Sequence, residues 1–179
     1  GQSVLVENKP GANSGIGADA VAKAPADGYT LLFTNDATFV LNPVLFSSLS
    51  YNMARDFVPV ATVAYLNLAL VVSSTLPVNS FSELVAYTKA QSGKISYGSY
   101  GVGSQAHLMG EMYKKLTAAD IVHVPYKGAQ AAYQDLLGGR VDLFFDLSST
   151  ARAQVDAGTV KALAVSGAER NAMHPDVPT

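Results

Sequence analysis

"KISYGSYGVGSQAHLMGEMYKK", residues 94–115, reads as a short apolar strand running into a glycine-rich turn and then directly into a helix. Ile95 to Tyr97 supply the strand, Gly98, Gly101 and Gly103 the turn, and the residues from Ser104 onward a helical pattern. The same unit recurs downstream: strand "DIVHVPY", helix "AQAAYQDLLGG", strand "VDLFFDL", helix "STARAQVDAG" and strand "VKALAVSG". Glycines at 138, 139 and 158 supply helix stops. Upstream, Ser80 with Glu83 forms a capping box for a helix that Gly93 ends. Near the start, "SVLVEN" and "YTLLFTN" are strand-like and flank the helical spacing of Ile16, Ala20 and Val21. Strands alternating with helices of about ten residues predict an α/β fold with mostly parallel pairing and a sheet covered on both faces.

Composition narrows the function. The chain has 179 residues, 49% hydrophobic and 15% charged, with a formal charge of -2. No basic block or basic–aromatic interleaving is present, so the electrostatic footprint of a nucleic-acid binder is missing. There are no cysteines, which removes disulfides and thiolate chemistry together. The uncharged stretch from Phe57 to Ser82 is long enough to span a bilayer. Pro59, Asn67, Ser73, Ser74, Thr75 and Pro77 interrupt it, and its Val-rich halves predict two successive buried strands instead. No signal-peptide pattern stands at Gly1.

In open α/β sheets, ligands sit outside the carboxyl ends of the strands, beside the loops entering the following helices. The turn at 98–104 is such a loop. Its glycines let the backbone approach a ligand, Ser99 and Ser104 add hydroxyls, and the next helix presents its positive end, so the turn suits an anion. The same residues also suit a plain helix cap in which Ser104 serves only its own backbone. "GVGSQA" satisfies the dinucleotide pattern G-x-G-x-x-G/A, but the next strand ends in Pro125 and Tyr126 rather than an acidic residue, which argues against a nucleotide. No phosphate-loop or G-x-S-x-G motif occurs. His107 and Glu111 share a helical face with Lys114 and Lys115, opposite Leu108, Met109, Met112 and Leu116, and read as a solvated face. With only His123 and His174 besides, no metal site is expected, and no cofactor. Asp142 and Asp146 alternate to one side of a strand, and Asp146, at its carboxyl end, is the better ligand candidate.

"ENKPGANSGIGADAVAKAPADGYTLLFTN", "LNPVLF", "ISYGSYGVGSQAHLMGEMY", "HVPYKGAQAAYQDLLGGRVDLFFD" and "VKALAVSGAERNAMHPDVPT" together resemble, in order and end to end, the receptors of tripartite tricarboxylate transporters, the Bug or TctC-like periplasmic solute-binding proteins. The resemblance implies a two-lobed, type II Venus-flytrap fold that captures a small carboxylate in the periplasm. The receptor would present it to membrane transporter subunits, without chemistry on the ligand. It assigns the ligand to loops carrying Asn35, Thr38, Ser99, Gly101, Gly103, Ser104, Tyr126, Lys127, Gly128 and Asp146. Two alternatives stand beside it: a degenerate interaction domain that no longer binds ligand tightly, and an α/β enzyme acting on a small carboxylate.

Family members carry a further strand, loop and helix before the segment matching "SVLVENKPGA" and more helices after "DVPT". By resemblance, residues 1–66 and 162–179 form an incomplete first lobe and residues 67–161 a second lobe. An incomplete sheet leaves an edge and an apolar face, which predicts a homodimer.

Overall fold

The computed structural model describes all 179 residues, in two compact units, Gly1–Thr62 and Val63–Thr179. The second unit is built on one five-stranded sheet of β1 (Leu68–Ser73), β2 (Ile95–Ser99), β3 (Ile121–Pro125), β4 (Leu143–Leu147) and β5 (Val160–Val165), in the order β3-β2-β4-β1-β5. Its helices are α4 (Phe81–Ala90), α5 (Gln105–Thr117), α6 (Ala129–Leu137) and α7 (Ser148–Asp156); α1 (Gly15–Ala22), α2 (Asn42–Leu45) and α3 (Met53–Asp56) belong to the first unit.

β2 pairs parallel with β3 and with β4, as the alternation predicts. β1 does not follow the rule: it runs antiparallel between β4 and β5, with Leu68 opposite Leu147 and Ala69 opposite Val165. The sheet is therefore mixed rather than mostly parallel. All six β1 residues are buried, because the strand is central and both its faces are covered. A strand's direction is set by its partners, which lie far away in sequence, and no local pattern encodes it.

One face is filled by Leu84 of α4 and by Ala106 and Tyr113 of α5, against Leu70, Val72, Tyr97, Phe145 and Leu163. The other receives Ala132, Tyr133 and Leu136 of α6 and Ala151 of α7, against Ala69, Val71, Phe144 and Val165. The capping box forms in part: Ser80 Oγ accepts the Glu83 N–H at 3.2 Å, and the Glu83 carboxylate accepts the Asn79 N–H at 2.8 Å.

α5 turns a different face inward from the one its large apolar residues suggest. Ala106, Gly110 and Tyr113 are buried, whereas Leu108, Met112 and Leu116 are exposed. A side chain at Gly110 would overlap the Tyr97 ring, so the small residues are what let the helix approach the sheet this closely.

The expected boundary at 161/162 falls inside β5, which pairs with β1 from Val160 to Val165. Beyond it, Val165 N–H donates to Pro178 O at 2.8 Å, and the His174 ring meets Ser148 O at 3.0 Å. Residues 162–179 thus make these contacts within the second unit.

The first unit holds α1 (Gly15–Ala22), a 3-10 turn at Asp36–Thr38, α2 (Asn42–Leu45) and α3 (Met53–Asp56). The strands expected at "SVLVEN" and "YTLLFTN", and the first of the two expected between Phe57 and Ser82, do not form. Leu5, Phe33 and Val58 are exposed there. Apolar β-branched composition makes a segment fit for a ladder, but only a partner strand completes one. Ala12, Asn13 and Ser14 all adopt left-handed backbone. Buried Asn42 pins them, accepting from Asn13 Nδ2 at 2.7 Å and donating to Asn13 O at 3.1 Å and Tyr51 Oη at 3.0 Å.

Candidate functional site

The carboxyl ends of β2, β3, β4 and β5 and the amino end of β1 share one edge of the sheet. The turn 99–104 lies on that edge, at the amino end of the 13-residue α5. Gly101 and Gly103 have φ of +114° and +82°, a backbone that L side chains resist, so glycine is required at both. Ser99 is fully buried: its Oγ accepts the Gly101 N–H at 3.0 Å and lies 2.7 Å from His123 Nε2 in a hydrogen bond. Ser104 caps α5, accepting the His107 N–H at 3.2 Å and donating to Gly101 O at 2.7 Å. The two serine hydroxyls therefore build the turn. What it can offer an anion is backbone N–H and the positive end of α5.

The β3 loop abuts this turn. Tyr126 N–H donates to Ser99 O at 2.9 Å. Its hydroxyl donates to Asp135 Oδ2 at 2.8 Å, and burial together with Asp135 pushes the phenol up to about 12. Lys127 is exposed, and Gly128 precedes α6 as its cap residue. Asp146 is fully buried and accepts hydroxyl protons from Tyr100 and, at 2.6 Å, from Tyr133, plus the Leu147 N–H at 2.7 Å. Burial raises its carboxyl to about 7, with the Leu147 N–H opposing. Asp142 lies at the other end of β4 and holds Ser96, accepting from its N–H at 2.8 Å and its hydroxyl at 3.1 Å. The two aspartates do not form a pair. In the first unit, Asn35 is exposed, while Thr38 is buried, its hydroxyl 2.6 Å from that of Thr34.

The face carrying His107 is not the simple solvated one expected. The His107 ring is half-buried, 4.2 Å from the His123 ring, and its Nδ1 accepts the Gly103 N–H at 3.2 Å. His123 stacks on Tyr97, whose hydroxyl donates to Glu111 at 2.8 Å. Burial and then the neighbouring His107 hold the His123 ring below the usual imidazole range, so it favours the neutral form. The two histidines thus brace the turn from α5 and β3. Histidine spacing in the sequence carries no sign of this, because the contact crosses between elements.

Further along the same edge lies an open cavity of about 570 Å³. Asn67 precedes β1, Ser148 opens α7, and Arg170 and Met173 follow β5; all four line it, and none of the residues nominated from the sequence does. No group of three or more His, Cys, Asp or Glu side chains is arranged to hold a metal ion. No helix is long and apolar enough to cross a membrane.

A mixed sheet covered on both faces, with glycine-rich loops at one edge, defines an α/β unit of the periplasmic-binding-protein fold, and related solved chains include periplasmic binding proteins. All of residues 1–179 match the tripartite tricarboxylate transporter family receptor, and the chain belongs to that family. It is 38% identical over 180 residues to BugT of Bordetella pertussis, covering all of this chain and 55% of that protein. Among solved structures it is similar to R. palustris Rpa4515 with adipate, with 35% identity and a TM-score of 0.93 over 99% of this chain and 60% of that one. It is also similar to MatC (Rpa3494) of Rhodopseudomonas palustris with bound malate, with 31% identity and a TM-score of 0.83 over 94% of this chain and 57% of that one. The chain spans about half the length of the curated relatives it matches.

Proposed function

We propose that the chain is part of a periplasmic receptor that captures a small carboxylate and presents it to membrane transporter subunits, leaving the ligand chemically unchanged. The observation that carries this reading is the 99–104 turn, whose positive-φ glycines open the backbone beside the amino end of α5. The adipate and malate held by related receptors support a small dicarboxylate as ligand. The ligand is bound chiefly at the positive end of α5 and by backbone N–H groups of the turn other than those of Gly101 and Gly103, which already serve Ser99 and His107, with Tyr126 to Gly128 on the adjoining loop. Asp146 acts from behind, through Tyr100. Gly1–Thr62 belong to one lobe of the whole receptor and the sheet unit, Val63–Thr179, to the other, and two copies of this chain associate.

A degenerate interaction domain is the second reading, favoured by the serine hydroxyls at 99 and 104 being already engaged within the turn. A thermal-shift screen of malate, adipate and tricarboxylates separates the two. A ligand at 100 times its dissociation constant adds about 2.7 kcal/mol of stability, whereas the degenerate domain shows no shift. Incubating each stabilising acid with the protein and following it by NMR tests for turnover; conversion of the acid would contradict the receptor reading.

A further inference from the structure

The cavity beside α7 has its own chemistry, separate from the turn. Ser148, the first residue of this nine-residue helix, is only 3% exposed, and its Oγ has no hydrogen-bond partner. A buried hydroxyl without a partner is costly, and Ser148 Oγ and Asp19 Oδ1 are the two buried polar side-chain atoms of the chain that lack one. Ser148 is held firmly by its backbone: its N–H donates to Asn67 O at 2.8 Å and its carbonyl meets His174. Only χ1 is left to turn, and one rotamer step swings the hydroxyl about Cβ. The half-buried Asn67 lines the same cavity, its side-chain amide against Gly167 and without a hydrogen bond within the chain. The positive end of α7 supplies the field. Glu169 and Arg170 are adjacent and opposite in sign, so neither charge dominates, and Arg170 is partly spent on the carbonyls of Pro175 and Val177. Leu66 and Met173 make apolar wall.

We propose that this cavity is a second binding site, taking a monocarboxylate with an apolar body: the carboxylate accepts from Ser148 Oγ and the Asn67 amide, and the body lies against Leu66 and Met173. A volume of about 570 Å³ accommodates a ligand of this kind. A second carboxylate on the ligand would meet the apolar wall or Glu169, so dicarboxylates are disfavoured. The site does not depend on the role assigned to the 99–104 turn.

The test is a heteronuclear NMR titration of the full chain with benzoate, benzyl alcohol and adipate. Benzoate at millimolar concentration is expected to shift the Ser148 and Ser149 amides and the Asn67 side-chain amide saturably. Benzyl alcohol is expected to bind roughly tenfold more weakly, lacking the charge-assisted contacts. Ser148→Ala removes an unpartnered hydroxyl, so its melting temperature should not fall, while benzoate affinity drops about fivefold. Met173→Trp, at a half-exposed position, fills the cavity and abolishes the effect even if Ser148→Ala folds poorly. Equal response to benzyl alcohol, benzoate shifts that survive Met173→Trp, or no saturable shift near Ser148 would each overturn the proposal. Shifts confined to residues 101–104 would also overturn it while supporting a carboxylate site at the turn. Saturable benzoate shifts at Ser148, together with no adipate shift at 101–104, would support the cavity site and count against the turn.

Discussion

Replacing Asp146 by Asn should remove a large part of the pH dependence of folding. The carboxyl is fully buried, and burial raises it from the ordinary 3.8 to about 7. The folded state then holds its proton more tightly than the unfolded one between those values. Stability from this group is therefore fully present below about pH 4 and lost as pH rises through about 7. Each tenfold in proton affinity is worth about 1.4 kcal/mol, so the span corresponds to about 4 kcal/mol at most. The Tyr100 and Tyr133 hydroxyls and the Leu147 N–H all donate to the carboxylate. Such donors favour the charged form and pull the real effect below that bound. Urea denaturation at pH 4.5, 6, 7 and 8 for the wild type and Asp146→Asn measures it, with the difference between the curves isolating this residue from other titrating groups. The wild type should lose about 2–3 kcal/mol relative to the variant between pH 4.5 and 8, since the unfolded carboxyl is already mostly ionised at pH 4.5. Parallel curves would refute the reasoning and mean that the tyrosines fully compensate the burial.

The remaining expectations follow from close contacts and strain. Gly110→Ala gains about 1 kcal/mol of helix propensity but drives Cβ into the buried Tyr97 ring; overpacking of about 1–3 kcal/mol wins, and chemical denaturation should show a net loss. Ala12→Gly relieves a left-handed alanine (φ 47°) and should add about 1 kcal/mol, read by the same method. Gly103→Val forces a β-branched residue to φ +82° and should abolish malate or adipate binding in calorimetry while the sheet stays folded; unchanged affinity would place the carboxylate elsewhere. His107→Ala removes the acceptor for the Gly103 N–H and should shift the amide resonances of 101–104 and weaken binding severalfold, whereas no change at the turn would show that His123 alone braces it.

The segment from β2 to β5 was legible because its signals are local. Ser104 before an apolar helix, Gly138 and Gly139 after one, and apolar runs of strand length each mark a boundary without reference to anything distant. The misread parts are those decided between elements. The inward face of α5 follows from the small Ala106 and Gly110 meeting Tyr97, and a count of leucines and methionines points to the wrong side. The series Ala106, Gly110, Tyr113, at spacings of four and three, was the available sign. Tyr100, Tyr133 and Asp146 converge from a loop, a helix and a strand, and no spacing announces them. The turn itself was found from its glycines. Its serines were legible as cap or ligand donor alike, and the structure uses them to hold the turn.

The central position of β1 also sets an order of events during synthesis. Its six buried residues leave the ribosome well before their partners, since Ala69 pairs with Asp146 and with Val165. At 5–20 residues per second, a wait of about 5–20 s separates the strand from its second neighbour. Collapse of a short apolar chain takes microseconds, so β1 must spend that interval in temporary company and give it up when β4 and β5 arrive. A slow-folding, aggregation-exposed nascent chain is the cost of threading an early strand into the middle of a late sheet.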